Sequence, residues 1–169
     1  VNTLQVFTTN GTLDIMLTPT DYINIGYNVE GYDFRPLWGA KCMTLSFYVK
    51  CNKTGTYSVS FRNEARDNSY VSSYVIEAEN TWERKTITVP IPLHHNVADW
   101  NFEALTGLRI VWTLASGNSW QVTASQENTW VSGNATSVST QTNSAQTIDS
   151  VNPCFELAEV QLEAGSVAT

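Results

Sequence analysis

Positive charge is scarce in this chain and confined to one part of it. Of 169 residues only 9 are Lys or Arg against 16 Asp or Glu, for a net charge of −7. None of the nine lies beyond Arg109, so the last third is acidic and otherwise neutral. Binding to a nucleic-acid backbone depends on Lys and Arg neutralising phosphates, which argues against nucleic acid as the partner. Anionic membrane surfaces are disfavoured on the same ground, and no stretch approaches the roughly 20 apolar residues of a membrane span, so no membrane insertion is expected. Cysteine is scarce too. Cys42, Cys51 and Cys154 show no CxxC or Cys/His ligand spacing, which argues against structural zinc. They permit at most one intrachain disulfide and are expected to be free, mostly buried thiols. An initiator Met and a signal peptide are also absent from the start at Val1, so residues 1–169 are expected to be a single domain excised or processed from a longer protein.

Catalytic signatures are missing. There is no GxSxG, HExxH or Gly-rich phosphate loop. The adjacent His94 and His95 would face opposite sides of an extended segment and could not chelate one metal. None of the 16 acids is marked by local sequence as one of a glycosidase pair. A non-enzymatic protein is expected.

What is abundant is neutral polarity: Ser, Thr, Asn and Gln number 57 against 25 charged residues, and six tryptophans accompany them. Ser, Thr and Asn are poor helix formers and Thr suits strands, so this composition points to sheets and long loops. Leu45, Phe47 and Val49 alternate with Ser46, Tyr48 and Lys50, the period of a half-buried strand. Asn52–Gly55 reads as a turn leading into Tyr57, Val59 and Phe61, the second arm of a hairpin. Further strands are expected over Tyr70–Ala78, around Ile87, Val89 and Ile91, over Leu108–Leu114, and from Phe155 to Leu162 with a bulge at Ala158-Glu159. Pro90 and Pro92 require a strand end or a sheet edge. No helix of convincing length is visible beyond a short turn within Val97–Leu105. Between Ser116 and Asn152 the alternation fails, and long loops with short edge strands are expected. Short strands at this spacing indicate a β-sandwich or barrel.

Several segments also resemble a known family. Tyr27–Phe34, Thr44–Lys50, Lys53–Asn63, Asn80–Val89, Gly107–Ile110 and the closing Glu159–Thr169 are similar to the carbohydrate-binding-module-like jelly-roll domain of bacteriophage tail-fibre and related virion proteins. The resemblance implies an all-β jelly-roll sandwich, a place on the extracellular virion surface, and other virion subunits as partners in a homo-oligomeric fibre. It also implies adhesion to host-surface or extracellular glycans, with a structural spacer, decoration or oligomerisation domain as the alternative. Modules of this sort often hold a structural calcium, for which Glu30 or Asp33 with Glu156 or Glu159 would supply hard oxygen ligands.

Sugar rings stack on flat aromatics, and amides and carboxylates hydrogen-bond their hydroxyls. Trp38, Trp100, Trp120 and Trp130, in or beside polar segments, are the aromatic candidates for such contacts, with Arg62 and Asp67 as polar ones. Trp82 and Trp112 are expected in the core, the latter because it shares the phase of Ile110 and Leu114. Tyr48, Tyr70 and Tyr74 are expected on outward faces.

Overall fold

Period-two alternation becomes two antiparallel sheets packed against each other. The computed structural model describes residues 2–7, 18–92, 96–133, 138–140 and 153–169. In chain order the elements are β1 (Thr3–Phe7), β2 (Tyr22–Glu30), α1 (Gly31–Trp38), β3 (Cys42–Cys51), β4 (Gly55–Arg62), β5 (Asn68–Ile76) and β6 (Glu83–Pro90). They continue with β7 (Thr106–Ser116), β8 (Gln121–Val122), β9 (Trp130–Ser132), β10 (Ser139–Thr140) and β11 (Pro153–Ala164). One sheet has the order β1-β11-β3-β6, the other β2-β7-β4-β5-β9, and β8 pairs with β10 in a short parallel ladder. The chain is an all-β sandwich, one of the two architectures, sandwich or barrel, that its alternation predicts.

The core lies between the sheets. Phe47 of β3 stands edge-on to Trp112 of β7 (centroids 5.8 Å apart, planes at 84°) and to Tyr74 of β5 (5.2 Å, 80°). Tyr57 stacks on Tyr74 at 5.9 Å and meets Phe155 of β11 at 5.8 Å. Each such pair contributes about 0.5–1.5 kcal/mol beyond the area it buries. Leu45, Val49, Val59, Phe61, Leu108, Ile110 and Leu114 fill the space around them.

A second aromatic group closes one end of the sandwich. Phe34 and Trp38 of α1 meet Trp100 and Phe102, and Trp100 stands edge-on to Trp130 of β9 at 5.4 Å. A short 3₁₀ turn at Val97–Asp99, capped by the Asn96 side chain, leads into this group.

Four expectations are corrected. The turn at Asn52–Gly55 does not close a hairpin: β3 and β4 belong to different sheets, and the turn arches over the core. Alternation says which face of a strand is buried but not which strand lies beside it. The hairpin actually formed is β4–β5, closed through Asn63, whose side-chain Oδ1 accepts the backbone N–H of Asp67 and of Asn68 at 3.1 Å each. Tyr70 and Tyr74 point inward and are buried. Their strand is apolar on both faces, because Val71 and Val75 occupy the outward phase, so the pattern did not choose a side. Trp82 is not in the core but 39% exposed. Finally, Gly31–Trp38 is helical despite Pro36. Its entry is fixed from outside, by Gly31 and Tyr32 N–H groups donating to the carbonyls of Leu105 (2.8 Å) and Glu103 (3.1 Å).

Other expectations hold. Pro90 ends β6, an edge strand. The register of β11 against β3 slips between Ala158 and Gln161, with Glu159 at φ +49°, which is the expected bulge. Cys42 is a free thiol, and Cys51 is buried with its Sγ 3.0 Å from the Tyr57 hydroxyl. The Cys154 side chain, His94 and His95 lie outside the described residues.

Within the polar stretch after β7, Val138, Ser139 and Thr140 lie over the outer face of the five-stranded sheet. Ser58 Oγ lies 3.0 Å from Thr140 Oγ1 and accepts the Thr140 N–H at 3.1 Å, and Thr113 Oγ1 donates to the Val138 carbonyl at 2.8 Å. The buried hydroxyls of Ser58, Thr113 and Thr140 are thus engaged with each other or with backbone, as burial of polar groups requires.

Two glycines set how closely α1 and β7 approach. A Cβ on Gly107 would lie 2.7 Å from Gly31 Cα and 2.7 Å from Phe34 Cβ. Gly107→Ala should therefore destabilise by about 1–3 kcal/mol through overpacking, read as a lower urea midpoint. Gly26→Ala, where nothing lies within 4 Å, serves as control. Equal midpoints for the two variants would show that the α1–β7 contact yields freely.

Candidate glycan-binding face

β-Strand parity determines what the outer face of the four-stranded sheet presents. Because Leu45, Phe47 and Val49 point inward, Tyr48 and Lys50 point outward. Because Ile87 and Val89 point inward, Trp82 and Arg84 share the outward phase of β6. Cross-strand register then aligns Gln5, Glu156 and Lys50 in one row and Thr3, Ala158, Tyr48 and Arg84 in the next.

Chemistry follows from these rows. Lys50 forms an ion pair with Glu156, and Gln5 Nε2 donates to the same carboxylate at 2.6 Å. The Lys50 ammonium also sits 5.2 Å from the centroid of the Trp82 ring. Two adjoining hollows run across the face. One, of about 570 Å³, lies among Thr3, Tyr48, Lys50, Trp82, Glu156 and Glu159. The other, of about 490 Å³, lies among Tyr48, Arg84, Glu159, Gln161 and Thr169. Tyr48 and Glu159 are common to both. The bulge puts Glu159 there: a left-handed backbone at a residue other than Gly or Asn is strained, and such strain collects at functional positions. The result is a shallow groove with one exposed tryptophan, one tyrosine, two cations and two carboxylates. Such a surface can stack a sugar ring and hydrogen-bond its hydroxyls.

The tryptophans singled out in the sequence occupy other places. Trp100 is buried and Trp38 half-buried in the aromatic group around α1. Trp120 packs on Tyr22 at 4.3 Å and donates its indole N–H to the Thr20 carbonyl at 2.6 Å. Trp130 donates to the Pro90 carbonyl at 2.7 Å, tying an edge of one sheet to an edge of the other. All four hold loops in place, and they do not form one open groove.

Asp67 and Trp100 do meet, at a pocket of about 300 Å³ beside the β4–β5 turn with Asn63 and Asp99. Asp67 Oδ1 there already accepts from Asn63 Nδ2 (2.6 Å) and Asn68 Nδ2 (3.2 Å). Arg62 is buried on the outer face of the five-stranded sheet, donating to Ser69 Oγ (3.2 Å) and the Arg66 carbonyl (2.8 Å). Burial, helped by the charges of Arg66 and Arg109, lowers its pKa to about 10, so it remains a cation at neutral pH.

Of the four acids considered as calcium ligands, Glu30 is exposed at the end of β2 and Glu156 is engaged by Lys50 and Gln5. Asp33 and Glu159 line a common cavity. Calcium takes six to eight oxygens, more than two carboxylates supply. Among the described residues no three His, Cys, Asp or Glu side chains gather as a metal would need.

Sequence reasoning passed over Trp82, Lys50, Arg84 and Gln5. The signal for Trp82 was its parity with Arg84, Thr86 and Thr88. Lys50, Arg84 and Gln5 gain meaning only through cross-strand register. No family model matches the chain, and no curated protein matches it. Among the described residues no helix is long and apolar enough to cross a membrane.

Burial opposes ionisation of Glu156, but hydrogen bonds from Lys50 and Gln5 and the Lys50 charge outweigh it and lower its pKa. A carboxyl with a lowered folded pKa stabilises above its unfolded value, and that contribution is lost as pH falls through the folded value. Glu156→Gln should thus lower stability at neutral pH and flatten its decline below the ordinary carboxyl value of 4.5. Urea unfolding from about pH 5 to about pH 2 reads this out. Parallel declines for both proteins would show that the pair does not stabilise the folded state.

Proposed function

We propose that this domain is a jelly-roll, carbohydrate-binding-module-like adhesion domain that binds glycans without cleaving them, through the outer face of its four-stranded sheet. The observation that carries the reading is the exposed Trp82 ring beside Tyr48, set among Lys50, Arg84, Glu156 and Glu159. A composition rich in neutral polar residues and poor in Lys and Arg suits hydroxyl-rich polymers.

Strand order supports the jelly-roll part. Of the seven steps linking β1 through β7 and then β11, only β4 to β5 stays within one sheet; every other step changes sheet. That alternation is how eight strands are wound in the double-sheet jelly roll. The resemblance of Tyr27–Phe34, Lys53–Asn63 and Glu159–Thr169 to phage virion domains supports a place on a tail fibre or another surface appendage. There, weak sites on several subunits would act together through avidity.

A second reading has its own observation. Trp38, Trp100, Trp120 and Trp130 are spent on loop packing, as in a spacer or oligomerisation domain that meets other virion subunits without binding sugar.

A glycan array on the isolated domain separates the two. Binding should appear and should weaken about tenfold, near 1.4 kcal/mol, in Trp82→Ala. Because the ring is exposed, that variant should keep the wild-type unfolding midpoint. Glu159→Gly should raise stability by relieving the left-handed backbone while weakening binding. Absence of binding across host-derived glycans would leave the spacer reading standing.

A further inference from the structure

A different cavity opens between the two sheets, on the side where β1 and β2 are the last strands. It measures about 600 Å³ and reaches the core side chains Ile110, Trp112 and Leu157, with Ile25, Leu37 and Leu162 as walls. Leu4, Tyr27 and Val160 also line it and are 50%, 61% and 41% exposed, so the apolar surface continues outward from its mouth. Soluble domains seldom leave such a continuous apolar surface without a use for it. The size is that of a small-molecule site.

Among the described residues, the charged groups lining the cavity are of one sign: Asp33, in the first turn of α1, and Glu159, on the β11 bulge, are both exposed there, and no Lys or Arg lines it. Neither carboxylate is in an ion pair among the described residues. Two acids at the mouth of an apolar recess, in a chain of net charge −7, attract a cation and repel an anion.

We propose that this cavity binds a small amphipathic amine, its apolar body against Ile110, Trp112 and Leu157 and its protonated nitrogen between Asp33 and Glu159. A fatty acid or other apolar anion would place its charge against two carboxylates. An uncharged apolar molecule would gain only the burial. The site shares Glu159 with the sheet-face groove, whereas Asp33 lines this cavity and lies outside that groove.

NMR titration of the whole chain with 4-phenylbutylamine, 4-phenylbutan-1-ol and 4-phenylbutanoate tests the assignment. The amine should shift the Trp112 indole N–H and the Ile110 and Leu157 methyl signals saturably, and bind at least about tenfold more tightly than the butanoate. Asp33→Asn with Glu159→Gln, both exposed and unpaired, should bring the amine down to the affinity of the alcohol. Asp33→Asn alone should weaken the amine and leave glycan binding unchanged, which separates failure of this site from failure of the groove. No saturable shift at those signals with the amine, equal affinity for amine and butanoate, or amine affinity untouched by the double substitution would each overturn the proposal.

Discussion

Phe47 wedged edge-on between Trp112 and Tyr74 is the contact on which the rest of the molecule depends. It joins the central strand β3 of one sheet to two strands of the other. Together with the Tyr57 contacts to Tyr74 and Phe155, it fixes how far apart the sheets lie and which face of every strand is inside. Once Phe47 is inside, Tyr48 and Lys50 must be outside, because side chains alternate across a strand. The candidate groove is the reverse side of the core.

The two outer faces have different fates, which accounts for the neutral-polar composition. On the five-stranded sheet, small hydroxyl residues such as Ser58 and Thr113 lie under Val138, Ser139 and Thr140, where hydroxyl and backbone groups satisfy one another. Charged side chains beneath that cover would have needed buried counter-charges, at a cost of several kcal/mol per ion; Arg62, the buried cation of the same sheet, instead donates to Ser69 Oγ and the Arg66 carbonyl. The outer face of the four-stranded sheet carries Tyr48, Lys50, Trp82 and Arg84, and it has the hollows. Three residues from the stretch where alternation fails, Val138, Ser139 and Thr140, therefore form a packed cover over Ser58 and Thr113.

The tryptophans show where local sequence misleads. Trp120 and Trp130 lie in a polar neighbourhood, yet a carbonyl from a distant segment, Thr20 or Pro90, receives each indole N–H. Trp82 follows a turn and leads into the alternating strand β6, yet that strand's own parity turns it outward. An aromatic residue's role depends on what the fold brings against it, and neighbours in sequence are a poor guide to that when strands cross between sheets.

Alternation, strand-end prolines and the irregular Ala158-Glu159 step determined by themselves that this is an all-β sandwich or barrel, where most of β3 to β7 and β11 lie, and where β11 bulges. They act through local sterics and the two-residue period, so they are written in short stretches of sequence. Sheet membership, the arch at Asn52–Gly55, the helix Gly31–Trp38 and the cover over the five-stranded sheet were decided only by the tertiary structure. So was the assembly of Trp82, Tyr48, Lys50, Glu156 and Glu159 on one face, because it rests on the register of β3 with β6, 34 to 48 positions away in the chain, and with β11, 104 to 121 positions away, long-range pairings that no local pattern encodes.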